Sequence, residues 1–180
     1  MSTLSKYHQD HPEICQLHTT NTNEITALLS VLDVTFERWQ ASFPIDSSTS
    51  NEQILEAYAK DIQAFKEAGG YQTVDVVSMH AHHPDKVAFR EKFLSEHIHT
   101  EDEIRFFVNG KGLFCLHIGE YIYQILCEKE DLISVPANTP HWFDMGSEPE
   151  FTAIRLFNNQ EGWVAHFTGS PIANQFPLLD

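Results

Sequence analysis

Residues 96 to 110 read Glu96-His97-Ile98-His99-Thr100-Glu101-Asp102-Glu103-Ile104-Arg105-Phe106-Phe107-Val108-Asn109-Gly110. No other stretch of the chain gathers metal-binding side chains so densely. In a strand, side chains two apart share a face, with roots about 7 Å apart, so His97 and His99 can converge on one ion. Ile98, between them, faces the core. Glu103 has the same parity, but a straight strand would carry it about 13 Å away. The polar segment Thr100-Glu101-Asp102 must therefore turn or bulge to bring it back. Glu96, Glu101 and Asp102 are rival carboxylates. Glu103 is preferred because it directly precedes the apolar strand, whereas Glu101 and Asp102 read as solvated turn residues. Arg105 and Phe107 continue the parity of Glu103 and should line the same interior, with Ile104, Phe106 and Val108 facing the other way.

A second candidate ligand lies far down the chain. His141 follows Pro136-Ala137-Asn138-Thr139-Pro140, where two prolines and an asparagine mark a sharp turn. A histidine leaving such a turn sits on a rigid backbone, as a ligand should. Three imidazoles and one carboxylate suit Fe(II), Ni(II), Mn(II), Co(II) or Zn(II), and not soft Cu(I). With octahedral geometry, four protein ligands leave two adjacent positions for a chelating substrate. A structural zinc would close its shell at four. Among the remaining histidines, His117 sits mid-strand, either as a satisfied core group or pointing outward. His80, His82 and His83 read as loop residues with only a weak second metal pattern.

The elements that position these residues follow from periodicity. Residues 1 to 19 are polar and read as irregular. Asn21 caps a helix carrying Ile25, Leu28, Leu29 and Leu32, with Glu24 at its third position. Val34 to Ala41 is a short strand. Ser50 and Gln53 form a capping box for an amphipathic helix bearing Ile54, Leu55, Tyr58, Ile62 and Phe65, which Gly69-Gly70 stops. Tyr71 to Met79 reads as a strand. Pro84 opens a helix to about Leu94, with Val87, Ala88, Phe93 and Leu94 buried. Ile104 to Asn109, Leu113 to Ile118, Tyr121 to Cys127, Leu132 to Val135 and Phe151 to Phe157 are strands. Asn109-Gly110-Lys111-Gly112 and Gly119-Glu120 stand at hairpin spacing. The result is a mainly β chain: a barrel or sandwich with a few peripheral helices. It reads as one domain over 1–180, with an N-terminal embellishment over about 1–70 and a barrel core over about 71–168.

Composition narrows the partners. The formal net charge is −15. Such a surface repels phosphate backbones and anionic lipid, so neither nucleic acid nor a membrane is an expected partner. The same surface favours a soluble monomer. Three cysteines, Cys15, Cys115 and Cys127, lack C-x-x-C spacing and argue against a disulfide framework or a thiolate zinc site. With no apolar leader and no long apolar run, the expected location is the cytoplasm.

The histidine segments also resemble a known superfamily. His97-x-His99-x-x-x-Glu103, followed by Gly110, resembles the first cupin motif, and Pro136-x-Asn138-x-x-His141 the second. Asn138 replaces a usual glycine, and Met145 a usual asparagine. Asparagine tolerates the left-handed conformation, and neither change touches a candidate ligand. Longer stretches narrow the resemblance to the acireductone dioxygenase family of methionine salvage. They include Phe36-Glu37-Arg38-Trp39, Arg90-Glu91-Lys92-Phe93-Leu94, Glu103 to Val108, Gly112 to Gly119, Asp131 to Ala137, His141 to Gly146 and Phe151 to Phe157.

That resemblance implies a cupin-type, jelly-roll-like barrel and an enzyme holding one Fe2+ or Ni2+ per chain on His97, His99, Glu103 and His141. It implies oxidative cleavage of 1,2-dihydroxy-3-keto-5-methylthiopentene by O2. With Fe(II) the products are formate and 4-methylthio-2-oxobutanoate. With Ni(II) they are 3-methylthiopropionate, formate and CO. Arg105 would then stabilise the substrate enediolate. Phe143, Trp163 and Phe93 would form an apolar pocket for the methylthio tail. Arg155, a charge between apolar neighbours, needs a partner, either substrate or Glu96, and Glu96 could instead brace a ligand histidine from behind. The alternatives are a metal-binding cupin without catalysis, and a different cupin dioxygenase or isomerase.

Overall fold

A computed structural model describes all residues, 1–180. The chain opens on a hairpin of β1 (Thr3–His8) and β2 (His11–Thr19), followed by α1 (Thr22–Ser30) and β3 (Thr35–Arg38). Then come α2 (Asn51–Ala57), α3 (Ala59–Gly69), β4 (Thr73–His80) and α4 (Lys86–Leu94). The rest is β: β5 (His97–Ile98), β6 (Glu103–Ile118), β7 (Tyr121–Glu128), β8 (Asp131–Val135), β9 (His141–Asp144), β10 (Glu150–Phe157) and β11 (His166–Phe167).

Two antiparallel sheets share one strand. The first half of β6 lies between β10 and β8, with β4 and β3 outside them. The second half pairs with β7 and β9 in a sheet ordered β11-β5-β9-β6-β7-β1-β2. The core fills the space between the sheets. Phe36, Phe107, Ile133 and Phe151 come from one, and Leu4, Phe114, Ile125 and Phe143 from the other. This is the mainly β, cupin-type barrel expected. The parity of β6 also holds: Phe107 enters this inner core, while Ile104, Phe106 and Val108 join a second cluster with Ile54, Tyr58 and Ile62 of the helical segment.

Several expectations need correction. The first nineteen residues are not irregular. They form a hairpin whose first strand pairs with β7, and a register shift around Tyr7 spoils the period-two pattern that would have revealed it. The N-terminal seventy residues supply strands to both sheets, and Leu4, Ile25, Leu29, Val34 and Phe36 to the main core. The amphipathic helix breaks at Tyr58 into α2 and α3, although its Ser50–Gln53 capping box and left-handed Gly70 stop are both present. Helix α4 has no buried residue, and Val87 is 65% exposed.

Asn109-Gly110-Lys111-Gly112 is not a hairpin but the crossing point of β6 between the sheets. Gly110 takes φ +68, and a Cβ there would overlap the Glu150 carbonyl of the neighbouring strand. Gly119, in the β6–β7 turn, has φ +62 but open space around it. Gly119→Ala should therefore cost about 1 kcal/mol, the strain of the left-handed backbone alone. Gly110→Ala adds a backbone clash at the crossing and should cost roughly 2–3 kcal/mol. Urea unfolding of the two variants checks this, and equal losses would contradict the crossing geometry.

Candidate metal centre

Strand pairing brings the two distant segments together. His97 pairs with His141 across β5 and β9, and His141 pairs in turn with Leu116 of β6. The chain bends at Thr100–Glu101, and two hydrogen bonds tie that bend to the proline turn. The Asn138 N–H donates to the His99 carbonyl at 2.8 Å, and the Ala137 N–H to Asp102 Oδ1 at 2.7 Å. Asn138 holds the left-handed conformation, φ +61, that the turn requires. Glu101 and Asp102 are thus half-buried structural residues rather than solvated ones, since Glu101 also accepts from Asn159 Nδ2 at 2.8 Å.

The bend returns Glu103 to the histidines. The rings of His97, His99 and His141 lie 4.4 to 5.3 Å apart between centroids. Each donates its Nδ1–H to a backbone carbonyl: Ser95 at 2.8 Å, Val164 at 3.0 Å and Thr139 at 2.7 Å. A carbonyl only accepts, so these contacts fix the Nδ1–H tautomer and leave Nε2 of each ring as a lone-pair acceptor. Glu103 Oε2 lies 3.3 Å from His99 Nε2 and 3.8 Å from His141 Nε2. Glu103 Oε2 and His141 Nε2 are buried without a hydrogen-bond partner.

Electrostatics make this an acceptor cluster. Burial, with His97 close by, lowers His141 to about 3, against the pull of Glu103. Burial likewise depresses His97 and His99. The three rings are therefore neutral near pH 7. Burial is the largest single influence and opposes the charge of Glu103, but Arg105, His99, His141 and Arg155 together outweigh it and hold the carboxyl well below the usual range. Three lone pairs and a carboxylate oxygen facing one another lack any proton to share. A divalent cation satisfies all four at once, so the side chains present fit a metal. The three histidines offer ligand atoms within 4.8 Å of one another.

The remaining predicted residues divide. Arg105 donates through Nε (3.1 Å) and Nη2 (2.7 Å) to Glu103 Oε1, and its guanidinium lies 4.9 and 4.8 Å from the Phe114 and Phe143 ring centroids. Arg105, Phe93, Phe143, Arg155 and Trp163 line one cavity of about 410 Å³ together with the three histidines. A larger groove of about 740 Å³, beside Phe43 and Tyr58, holds none of the predicted site residues. Arg155 makes no contact with Glu96. It pairs bidentately with Asp75 of the neighbouring strand, at 2.9 and 2.6 Å. Glu96 braces none of the three imidazoles, because its carboxylate meets His117 Nδ1 at 2.8 Å and Thr168 Oγ1 at 2.7 Å. The sequence reading missed Phe89, Lys92 and Phe167 in the cavity wall. Phe89 and Phe93 stand four apart on α4, which is the available signal: both rings line the cavity, with Phe93 and Leu94 also packed partly against the core.

The model of the ARD/ARD′ family matches residues 5–165. The acireductone dioxygenase of Pseudomonas aeruginosa is 54% identical over 180 residues, covering 100% of this chain and 99% of the relative. That of Klebsiella oxytoca is 54% identical over 179 residues, covering 99% of each. The solved structure of the Bacillus anthracis acireductone dioxygenase, which carries a cadmium ion in its active centre, superposes with a TM-score of 0.82. It is 29% identical and covers 93% of this chain and 98% of that one.

The Glu103–Arg105 pair yields a test. Removing Arg105 leaves a buried carboxylate without its counter-charge, so Arg105→Met should destabilise the metal-free protein by about 3–5 kcal/mol. Adding Glu103→Gln removes the stranded charge and should recover much of that loss. Urea unfolding in excess chelator measures both, and additive losses in the double variant would contradict the pairing.

Proposed function

Because this chain belongs to the ARD/ARD′ family, the acireductone dioxygenases, we propose that it cleaves 1,2-dihydroxy-3-keto-5-methylthiopentene with O2 at a metal held by His97, His99, Glu103 and His141. The observation that carries this reading is the buried, unpartnered pair Glu103 Oε2 and His141 Nε2, within a cluster whose three Nδ1 nitrogens are all engaged on backbone carbonyls. The resident metal is Fe(II) or Ni(II), one per chain. When bound, it supplies Lewis acidity toward the enediolate oxygens.

The surrounding side chains do the rest. Arg105 orients Glu103 through Nε and Nη2, while its Nη1 makes no hydrogen bond within the protein and lines the cavity. That free donor meets the enediolate oxygen in a site walled by Phe143 and Phe93, where low polarity strengthens the contact. Phe143 is buried and gives the methylthio tail an apolar floor, and Trp163, 54% exposed, stands at the outer edge. Arg155, held in place by its pair with Asp75, adds a fixed guanidinium to the same wall.

With Fe(II), the products are 4-methylthio-2-oxobutanoate and formate, and the reaction serves methionine salvage. With Ni(II), they are 3-methylthiopropionate, formate and CO. The chain works as a cytoplasmic monomer. Its three unpaired cysteines and its acidic surface, formal net charge −15, support that reading.

His97→Ala, His99→Ala and His141→Ala should each lower metal content, measured by elemental analysis, and cut turnover at least 100-fold. Turnover that survives in a metal-free variant would overturn the mechanism. Oxygen uptake on adding freshly generated acireductone should occur with either metal, and CO should appear only in the Ni(II) preparation. Metal binding with no oxygen uptake would instead favour a non-catalytic binding module.

A further inference from the structure

The cavity above the histidines has an unusual charge. The chain carries 26 Asp and Glu and a formal net charge of −15, yet none of the fourteen residues lining this cavity is acidic. Three are permanent cations, Lys92, Arg105 and Arg155. Two of them are already neutralised by the protein, Arg105 by Glu103 and Arg155 by Asp75. Lys92, exposed on α4 between Glu91 and Phe93, makes no ion pair and no side-chain hydrogen bond. It is the one cation of the wall whose charge is not already matched by a carboxylate.

We propose that Lys92 is the capture residue for the anionic substrate, a specificity-determining group at the cavity mouth. This rests on the functional reading above, in which the substrate is an enediolate. At long range a surface of −15 repels such an anion. Salt screens that repulsion beyond about 8–10 Å, so the field that the substrate meets on entry is set by nearby charges. A lysine suits the task, because a flexible ammonium attracts a mobile anion without imposing the fixed fork of an arginine. Phe89 and Phe93 flank it on the same helix, so the charge that attracts the enediolate adjoins the apolar wall that takes the tail. The effect is on encounter and affinity rather than on the chemical step, which belongs to the groups around Glu103.

Lys92→Gln, Lys92→Arg and the control Lys60→Gln, which removes the same charge from α3, should be compared at equal metal content. The neutral Lys92 variant should lower kcat/KM about three- to fivefold at low salt, through KM. Lys92→Arg should restore most of the loss, and Lys60→Gln should match the parent. The gap should close at about 0.5 M NaCl. Anaerobic titration with acireductone, followed by tryptophan fluorescence, should show the same three- to fivefold weakening in Kd. Equal kcat/KM and Kd for Lys92→Gln and parent would overturn the assignment while leaving the dioxygenase reading standing. So would a loss that Lys60→Gln reproduces or that salt does not reduce. A parent that neither binds nor consumes the acireductone would overturn both.

Discussion

The structure depends on an electrostatic conflict that only a cation resolves. Three neutral imidazoles present lone pairs toward one another and toward an ionised carboxylate oxygen, with no proton among them. Burying unpartnered acceptors costs free energy, and here the backbone forces it. Each imidazole is locked by its Nδ1–H on a carbonyl, and each carbonyl belongs to a different local structure: the end of α4, the proline turn and the segment after β10. The rings cannot rotate away without breaking those bonds. Arg105 prevents the carboxylate from relieving the strain by protonation. The site is preorganised for a metal by the same contacts that make it unfavourable without one.

The sheet architecture provides this geometry through one long strand. β6 enters the inner core beside β10 and β8, crosses at Gly110, and continues beside β7 and β9. Its first residue is Glu103, and its far half pairs with the strand that begins at His141. One continuous backbone therefore spaces the carboxylate from the third histidine. The hydrogen bonds from Asn138 to His99 and from Ala137 to Asp102 then clamp the two motif segments together. Ligands some forty residues apart become neighbours because their flanking turns bond to each other, not only because the strands pair.

Much of this was legible in the sequence, for local reasons. The caps at Asn21 and Ser50, the stop at Gly70 and the alternation along Ile104 to Val108 are short-range signals, and the structure follows them. The requirement for a bend between His99 and Glu103 followed from strand rise alone. The failures have equally physical causes. The N-terminal hairpin has a mostly exposed second strand and a shifted register, so its hydrophobic pattern is faint. Asn-Gly-Lys-Gly carries hairpin chemistry, but tertiary pairing on both sides keeps the strand running through it. Periodicity reports an apolar face on helix α4 without saying how that face divides between core and cavity: Phe93 and Leu94 pack partly on the core, and Phe89 and Phe93 line the cavity. The protein partner of Arg155 is Asp75, an equally anomalous charge in an apolar strand. Matching the two needed the β4–β10 register, which no single strand encodes.

The most direct test of the central claim is a crystal structure of the protein as purified, with anomalous scattering recorded across the absorption edges of iron and nickel. The account predicts one strong peak per chain, about 2.0–2.2 Å from Nε2 of His97, His99 and His141 and from Oε2 of Glu103, with each Nδ1 still on its carbonyl. A metal bound elsewhere, ligation through Nδ1, or a Glu103 carboxylate turned wholly onto Arg105 and away from the ion would contradict it.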